Sequence, residues 1–159
     1  LPYLTGGTND VKEATGCFLN MTLDTDQATL WHAVLEAIGY DYMEITDLYR
    51  GAGVDMSRIT ITEGGSRSGI WNQMKSDMLG SEVITLKNGG AVVTDCIVGA
   101  YALGHITDMK AALTESLEIK KLYYTNAENH DFYAKQYALQ KKLVKQDMKE
   151  AFHTLKALH

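Results

Sequence analysis

Residues 59–86 read ITITEGGSRSGIWNQMKSDMLGSEVITL, and two changes of hydrophobic period within them set the fold class. SRITIT (57–62) is β-branched and apolar, as a buried strand requires, and EVITL (82–86) has the same character. Between them, after the glycine pair Gly64–Gly65, the pattern predicts a helix from about Gly69 to Leu79. Gly80 ends it, because glycine adopts the left-handed conformation that closes helices at no steric cost. Strand, glycine turn, helix, strand is the unit of a layered α/β sheet.

The pattern repeats on both sides. Upstream, ATGCFLNMTL (14–23) alternates loosely and predicts a short strand, and Asp24, Thr25 and Asp26 offer cap oxygens for a long helix. Leu30, Val34, Ile38, Tyr42, Ile45 and Leu48 form its apolar stripe, widened by Trp31 and Leu35, until Gly51 and Gly53 stop it. Downstream, Gly89–Gly90 predict a turn and Val93–Leu103 a small-residue helix ended by Gly104. Asp108 opens another helix, MKAALTESL, and Tyr133, Tyr137, Val144, Met148, Phe152 and Leu155 predict one long helix from about Asn129 to Leu158. The expected order is strand, helix, strand, helix, strand, helix, then helices.

At 159 residues, 45% hydrophobic and 22% charged, the chain can bury the core of one ordinary domain. A net charge of −5 argues against a nucleic-acid surface, which needs clustered cations. Lys141, Lys142, Lys145 and Lys149 are interleaved with Asp147 and Glu150, the composition of a solvated helix face. No apolar run approaches the ~20 residues needed to cross a membrane. Cys17 and Cys96 are too few for a disulfide framework and read as reduced structural thiols, so a cytoplasmic location is expected. The five histidines have no metal-ligand spacing, and no metal site is expected. The first residue is Leu1, and the chain is expected to be part of a longer one.

In an open α/β sheet, ligands bind beyond the carboxyl ends of the strands, which is where Glu63–Ser68 falls. Gly64 and Gly65 lack Cβ atoms and let a base, ribose or phosphate approach the backbone. Ser66 and Ser68 add hydroxyls, and the free N–H groups at the helix start favour polar or anionic atoms. A glycine pair after a strand can equally be a plain tight connection.

The spacing beyond the glycines is more specific. Gly64, Gly65, Ser66, Arg67, Ser68, Trp71, Gln73, Ser76, Asp77 and Gly80 together resemble a signature of the FGGY carbohydrate kinases. PYLTG (2–6), ATGCFLNMTL, LWHAVLEAIGYDY (30–42), VGAYALG (98–104) and the closing NAENHDFYAKQY (126–137) resemble further segments of that family, the last in its xylulokinase-type members. The resemblance implies the second half of an actin-like (ribonuclease H-like) ATPase domain, with α/β/α layers, all of 1–159 lying in the C-terminal nucleotide-binding domain. It implies ATP or ADP as cofactor, Mg in the full-length enzyme, and a sugar such as a pentulose or related polyol as substrate. Gly64, Gly65, Ser66, Ser68 and Gly69 would line the adenosine, Gly65 and Ser66 by their backbones. Gly69 stands where some relatives place an amide side chain near the adenine. Trp71, Gln73 and Asp77 are read as structural. A homodimer is expected from relatives, and neither a nucleic acid nor a membrane is expected as partner.

Some features depart from the family. Gly7, Thr8, Asn9 and Asp10 replace its Glu-Arg-x-Pro, and Thr94, Asp95 and Cys96 replace a plainer alanine-rich turn. The Asp-Gly-Thr phosphate loop and the catalytic aspartate of the family do not occur, so no catalytic residue is assigned and the isolated chain is expected to be inactive. Asp10, Asp24 and Asp26 read as turn and cap residues. The alternative is a non-catalytic α/β interaction or dimerisation module using the long C-terminal helix.

Overall fold

The computed structural model describes residues 1–4, 7, 12–88 and 90–157. Three strands, β1 (Arg58–Ile61), β2 (Glu82–Leu86) and β3 (Ile119–Tyr123), form one sheet in the order β1-β2-β3. β1 and β2 run parallel from Arg58 opposite Glu82 to Ile61 opposite Thr85. β3 is antiparallel to β2, Val83 facing Tyr123, with a register shift between Thr85 and Leu86. Central β2 carries the buried residues Val83, Ile84 and Thr85.

The helices are α1 (Gln27–Gly51), α2 (Gly69–Leu79), α3 (Ala91–Ala102), α4 (Met109–Ser116), α5 (Ala127–Lys142) and α6 (Lys149–Lys156). The mixed α/β class is as the sequence predicts. α2 and β2 match their predicted bounds because their punctuation is strong. Ser68 Oγ accepts the Trp71 N–H at 3.2 Å to cap α2, and Gly80 closes it at φ 59°. Asp26 likewise caps α1 through the Thr29 N–H at 2.8 Å, and Asp108 caps α4 through the Ala111 N–H at 2.9 Å.

α2 is the hub of the core. Trp71, Met74, Met78 and Leu79 pack with Tyr40 and Met43 of α1 and Tyr133 and Tyr137 of α5. Burying a side chain such as Met78 contributes roughly 1.5–3 kcal/mol. Gly39 lets the helices approach: a Cβ there would stand 2.2 Å from Met78 Sδ. The α1 stripe is rotated from its predicted position. Ala37, Tyr40, Met43 and Thr46 are buried, whereas Tyr42, Ile45, Leu48 and Trp31 are exposed. The small residues Ala37 and Gly39 mark the true contact line, which large apolar residues alone do not reveal.

Three further expectations are corrected. Residues 14–23 form no strand. Leu1 and Cys17 exchange two backbone bonds, but Asn20 turns left-handed at φ 59°, and Phe18, Leu19, Met21 and Leu23 are exposed. Beta-favouring residues without a partner strand do not make a sheet. The third strand is β3 instead, hidden in the sequence because Lys120 and Lys121 interrupt its apolar alternation. The C-terminal helix is divided: Leu143–Asp147 form a π-helical turn between α5 and α6, closed by the Met148 N–H on the Leu143 carbonyl at 2.9 Å. This turn redirects Val144 and Phe152 onto Ala14, away from Tyr133 and Tyr137. α3 begins two residues earlier than predicted, at Ala91. Gly6, Thr8, Asn9, Asp10, Gly89, Leu158 and His159 lie outside the described residues.

Candidate nucleotide-facing turn

β1 ends at Ile61, and the chain reverses through Glu63 into one 3₁₀ turn, Gly64–Ser66, before α2 begins. Glu63 sits at φ 60°, ψ −153°, a region open almost only to glycine. The Glu63 carbonyl accepts both the N–H of Ser66 at 3.1 Å and its hydroxyl at 2.8 Å. The Arg67 N–H donates to the Gly64 carbonyl at 3.3 Å.

The predicted residues fall in two groups. Gly64, Gly65 and Ser66 share the turn, while Ser68 and Gly69 form the cap and first residue of α2. Both serine hydroxyls have internal partners, Glu63 and Trp71, so they shape the loop. The glycines are not demanded by packing within this chain. A Cβ on Gly64 would meet nothing within 4 Å, and on Gly69 only the Tyr123 hydroxyl at 3.6 Å. The space above Gly64 is therefore open for a molecule to lie against the backbone.

Two side chains that sequence reasoning missed hold the turn from beneath. Asn72 Nδ2 donates to the Ser66 carbonyl at 2.7 Å, and Lys75 Nζ donates to the Gly65 carbonyl at 2.8 Å. They are three residues apart, hence on one face of α2, and both are buried, Lys75 with 3% of its surface exposed. Lys75 Nζ also lies 4.9 Å from the centroid of the Trp71 ring and 3.4 Å from Asn72 Oδ1. Burial lowers its pKa to about 8. Only the i, i+3 spacing of Asn72 and Lys75 behind the glycines could have drawn attention to them.

Beside the turn, a groove of about 370 Å³ opens between α1 and β1, lined by Tyr42, Ile45, Tyr49, Ile59, Gly65 and Lys75 among others. On the other side, Glu63 Oε1 accepts the Ala91 N–H at 2.9 Å, joining the turn to the start of α3.

Trp71, Gln73 and Asp77 have structural partners. Trp71 stacks on Tyr42 with centroids 6.3 Å apart. Gln73 Nε2 donates to Asp77 Oδ1 and to the Tyr124 carbonyl, both at 2.8 Å. Asp77 also accepts the Asn126 N–H at 2.9 Å and Asn129 Nδ2 at 2.8 Å, fastening α2 to the start of α5. Cys17 and Cys96 carry no disulfide. Among the described residues, no three histidine, cysteine or acidic side chains gather to hold a metal ion, and no helix is long and apolar enough to cross a membrane.

Comparison with known proteins agrees with this architecture. Residues 6–107 match the model of the FGGY family of carbohydrate kinases, C-terminal domain. A xylulose kinase of Staphylococcus epidermidis is 28% identical over 148 residues, covering 91% of this chain and 30% of that protein. The crystal structure of xylulose kinase from Rhodospirillum rubrum superposes with a TM-score of 0.76 at 23% identity, over 96% of this chain and 31% of that one. Plasmodium falciparum glycerol kinase with ADP has a TM-score of 0.70 at 14% identity, over 84% of this chain and 28% of that one. The chain thus spans less than a third of the length of these proteins.

Proposed function

Because the chain belongs to the FGGY family of carbohydrate kinases through its C-terminal domain, we propose that it supplies the adenosine-binding side of an ATP-dependent sugar kinase. In this reading residues 1–159 are part of the nucleotide-binding domain. The acceptor is a pentulose such as xylulose, or a related sugar or polyol, and the Staphylococcus relative is named a xylulose kinase. Adenosine lies along Gly64, Gly65 and Ser66, with Ser68 and Gly69 at the adjoining helix start.

The observation that carries the reading is the open backbone at Gly64, placed at the carboxyl end of a parallel strand. The glycerol kinase of the same fold was solved with ADP. Phosphoryl transfer depends on positioning the phosphates and on a base at the attacking hydroxyl. The residues here supply the first of these needs on the adenosine side. Mg²⁺ accompanies ATP in such reactions, and no cluster of protein ligands for it is gathered among the described residues.

Titration calorimetry with ADP tests the site. Wild-type protein is expected to bind. Gly64→Leu, whose side chain enters open space at a φ outside the left-handed region, is expected to keep the fold and lose binding. Equal affinity in the two proteins would refute the assignment.

A second reading, an interaction module, is favoured by α3 and its C-cap, where Val92, Val98 and Tyr101 of the helix and Leu103 just after it are exposed. Sedimentation of wild type against Val98→Asp would reveal whether this face joins two copies.

A further inference from the structure

The Gly64–Ser66 turn is held by two carbonyl contacts of different kinds. Asn72 donates an ordinary amide hydrogen bond to the Ser66 carbonyl, but the group on Gly65 is an ammonium taken out of water. Lys75 finds no carboxylate: among the described residues it takes part in no ion pair, and its neighbours are the Gly65 carbonyl, Asn72 Oδ1 and the Trp71 ring. A buried lysine without a counter-ion is costly, whereas a methionine of similar length would pack at no electrostatic expense. The one strong bond the ammonium makes is to the peptide on which the proposed nucleotide site depends.

We infer that Lys75 is a positioning residue for the Gly64–Ser66 turn, holding the Gly65 peptide in its ligand-binding shape more firmly while the lysine carries its proton than after the proton is lost. The inference rests on the nucleotide reading for its ligand but not for its structural content. A charged donor makes a bond roughly twice as strong as a neutral one. Losing the proton therefore loosens the Gly65 carbonyl while every heavy atom stays in place.

The groups facing the ammonium are few. α2 itself contributes Trp71 and Asn72, and the turn contributes Gly65. α1 brings the hydroxyl groups of Tyr42, Thr46 and Tyr49 to the same groove, and the β1 side brings Thr60 and Thr62. Among the described residues, no acid, histidine or second cation lines that groove. Burial holds the lysine pKa down at about 8, which brings the change into an accessible range.

Two measurements test this on the 159-residue protein. The carbonyl carbon resonance of Gly65, followed from pH 6.5 to 10, is expected to move with an inflection near pH 8 in wild type and to be flat in Lys75→Met. ADP affinity is expected to fall by about tenfold over the same range in wild type. It should be weak and independent of pH in Lys75→Met, and recovered without the inflection in Lys75→Arg. A Gly65 resonance that ignores pH in wild type overturns the inference, whatever the variants do. So does ADP affinity in Lys75→Met equal to wild type at pH 7. If wild type binds no ADP at any pH, the nucleotide reading falls, and the carbonyl titration alone decides the role of Lys75.

Discussion

Glu63 and Ala91 are joined at 2.9 Å, carboxylate to backbone N–H, across the carboxyl ends of two adjacent strands. The bond is made from a backbone conformation, φ 60° and ψ −153°, that costs a non-glycine residue of order 1–3 kcal/mol. It returns a cap for α3, whose start at Gly90 has no side chain to provide one. Glu63→Ala is expected to lose about 1 kcal/mol of stability, since it keeps the strained backbone and discards the cap. Glu63→Gly relieves the strain and is expected to be at least as stable as wild type. Urea midpoints of the three proteins check the order.

Gly90 is bound into the same arrangement. It lies at φ 138°, and a Cβ there would stand 2.2 Å from Glu63 Oε1. Gly90→Ala should therefore cost more than the ~1 kcal/mol typical of an unfavourable backbone, and part of the cost should vanish in a Glu63→Ala background. A double-mutant cycle by chemical denaturation measures that coupling, with no coupling as the refuting outcome.

Asp77 is the clearest stability residue in the chain. Its carboxylate, 3% exposed as a residue, accepts from Gln73, Asn126 and Asn129 and so ties α2 to α5. Asp77→Ala takes the acceptor from the Asn126 N–H and Asn129 Nδ2, leaves Gln73 with the Tyr124 carbonyl alone, and is expected to cost about 3 kcal/mol or more in unfolding experiments. Asp77→Asn, which keeps the shape and one acceptor oxygen, should lose less.

Lys75 also gives stability a pH dependence of definite sign. Its pKa falls from 10.5 to about 8 on folding, so between these values the unfolded chain binds more protons than the folded one. Stability from this group is therefore greatest above about pH 10.5, declines as pH falls through the window, and stays reduced below pH 8. The full effect is at most about 3 kcal/mol. Tyr40 and Tyr137, whose hydroxyl pKa values are raised by burial, act oppositely at higher pH. The comparison is thus wild type against Lys75→Met between pH 7.5 and 10, where wild type alone should gain stability with pH.

These residues mark where sequence was informative. Ser68, Gly80 and the paired glycines are local signals with local causes, so α2, β2 and the turn could be located from them. β3 could not, because its lysines conceal a strand stabilised by pairing with β2. The apolar run at 14–23 misled for the converse reason: composition favoured a strand and, among the described residues, no partner strand accepts it. At the candidate site, the glycine turn was legible, whereas the contacts of Asn72 and Lys75 link a side chain to a carbonyl six or ten residues earlier. No periodicity records such a bond.

The π-helical turn at Leu143–Asp147 decides where this part of the chain tolerates a change of length. It is closed from Met148 back to Leu143, five residues instead of four, and so takes up one residue more than an α-turn. Deleting one residue such as Gln146 would let α5 run into α6 with Phe152 still directed towards Ala14. Deleting one residue of α6 ahead of Phe152 would instead swing that ring by about 100°, the advance of one α-helical residue. The same loss is absorbed at one place and disruptive a turn later.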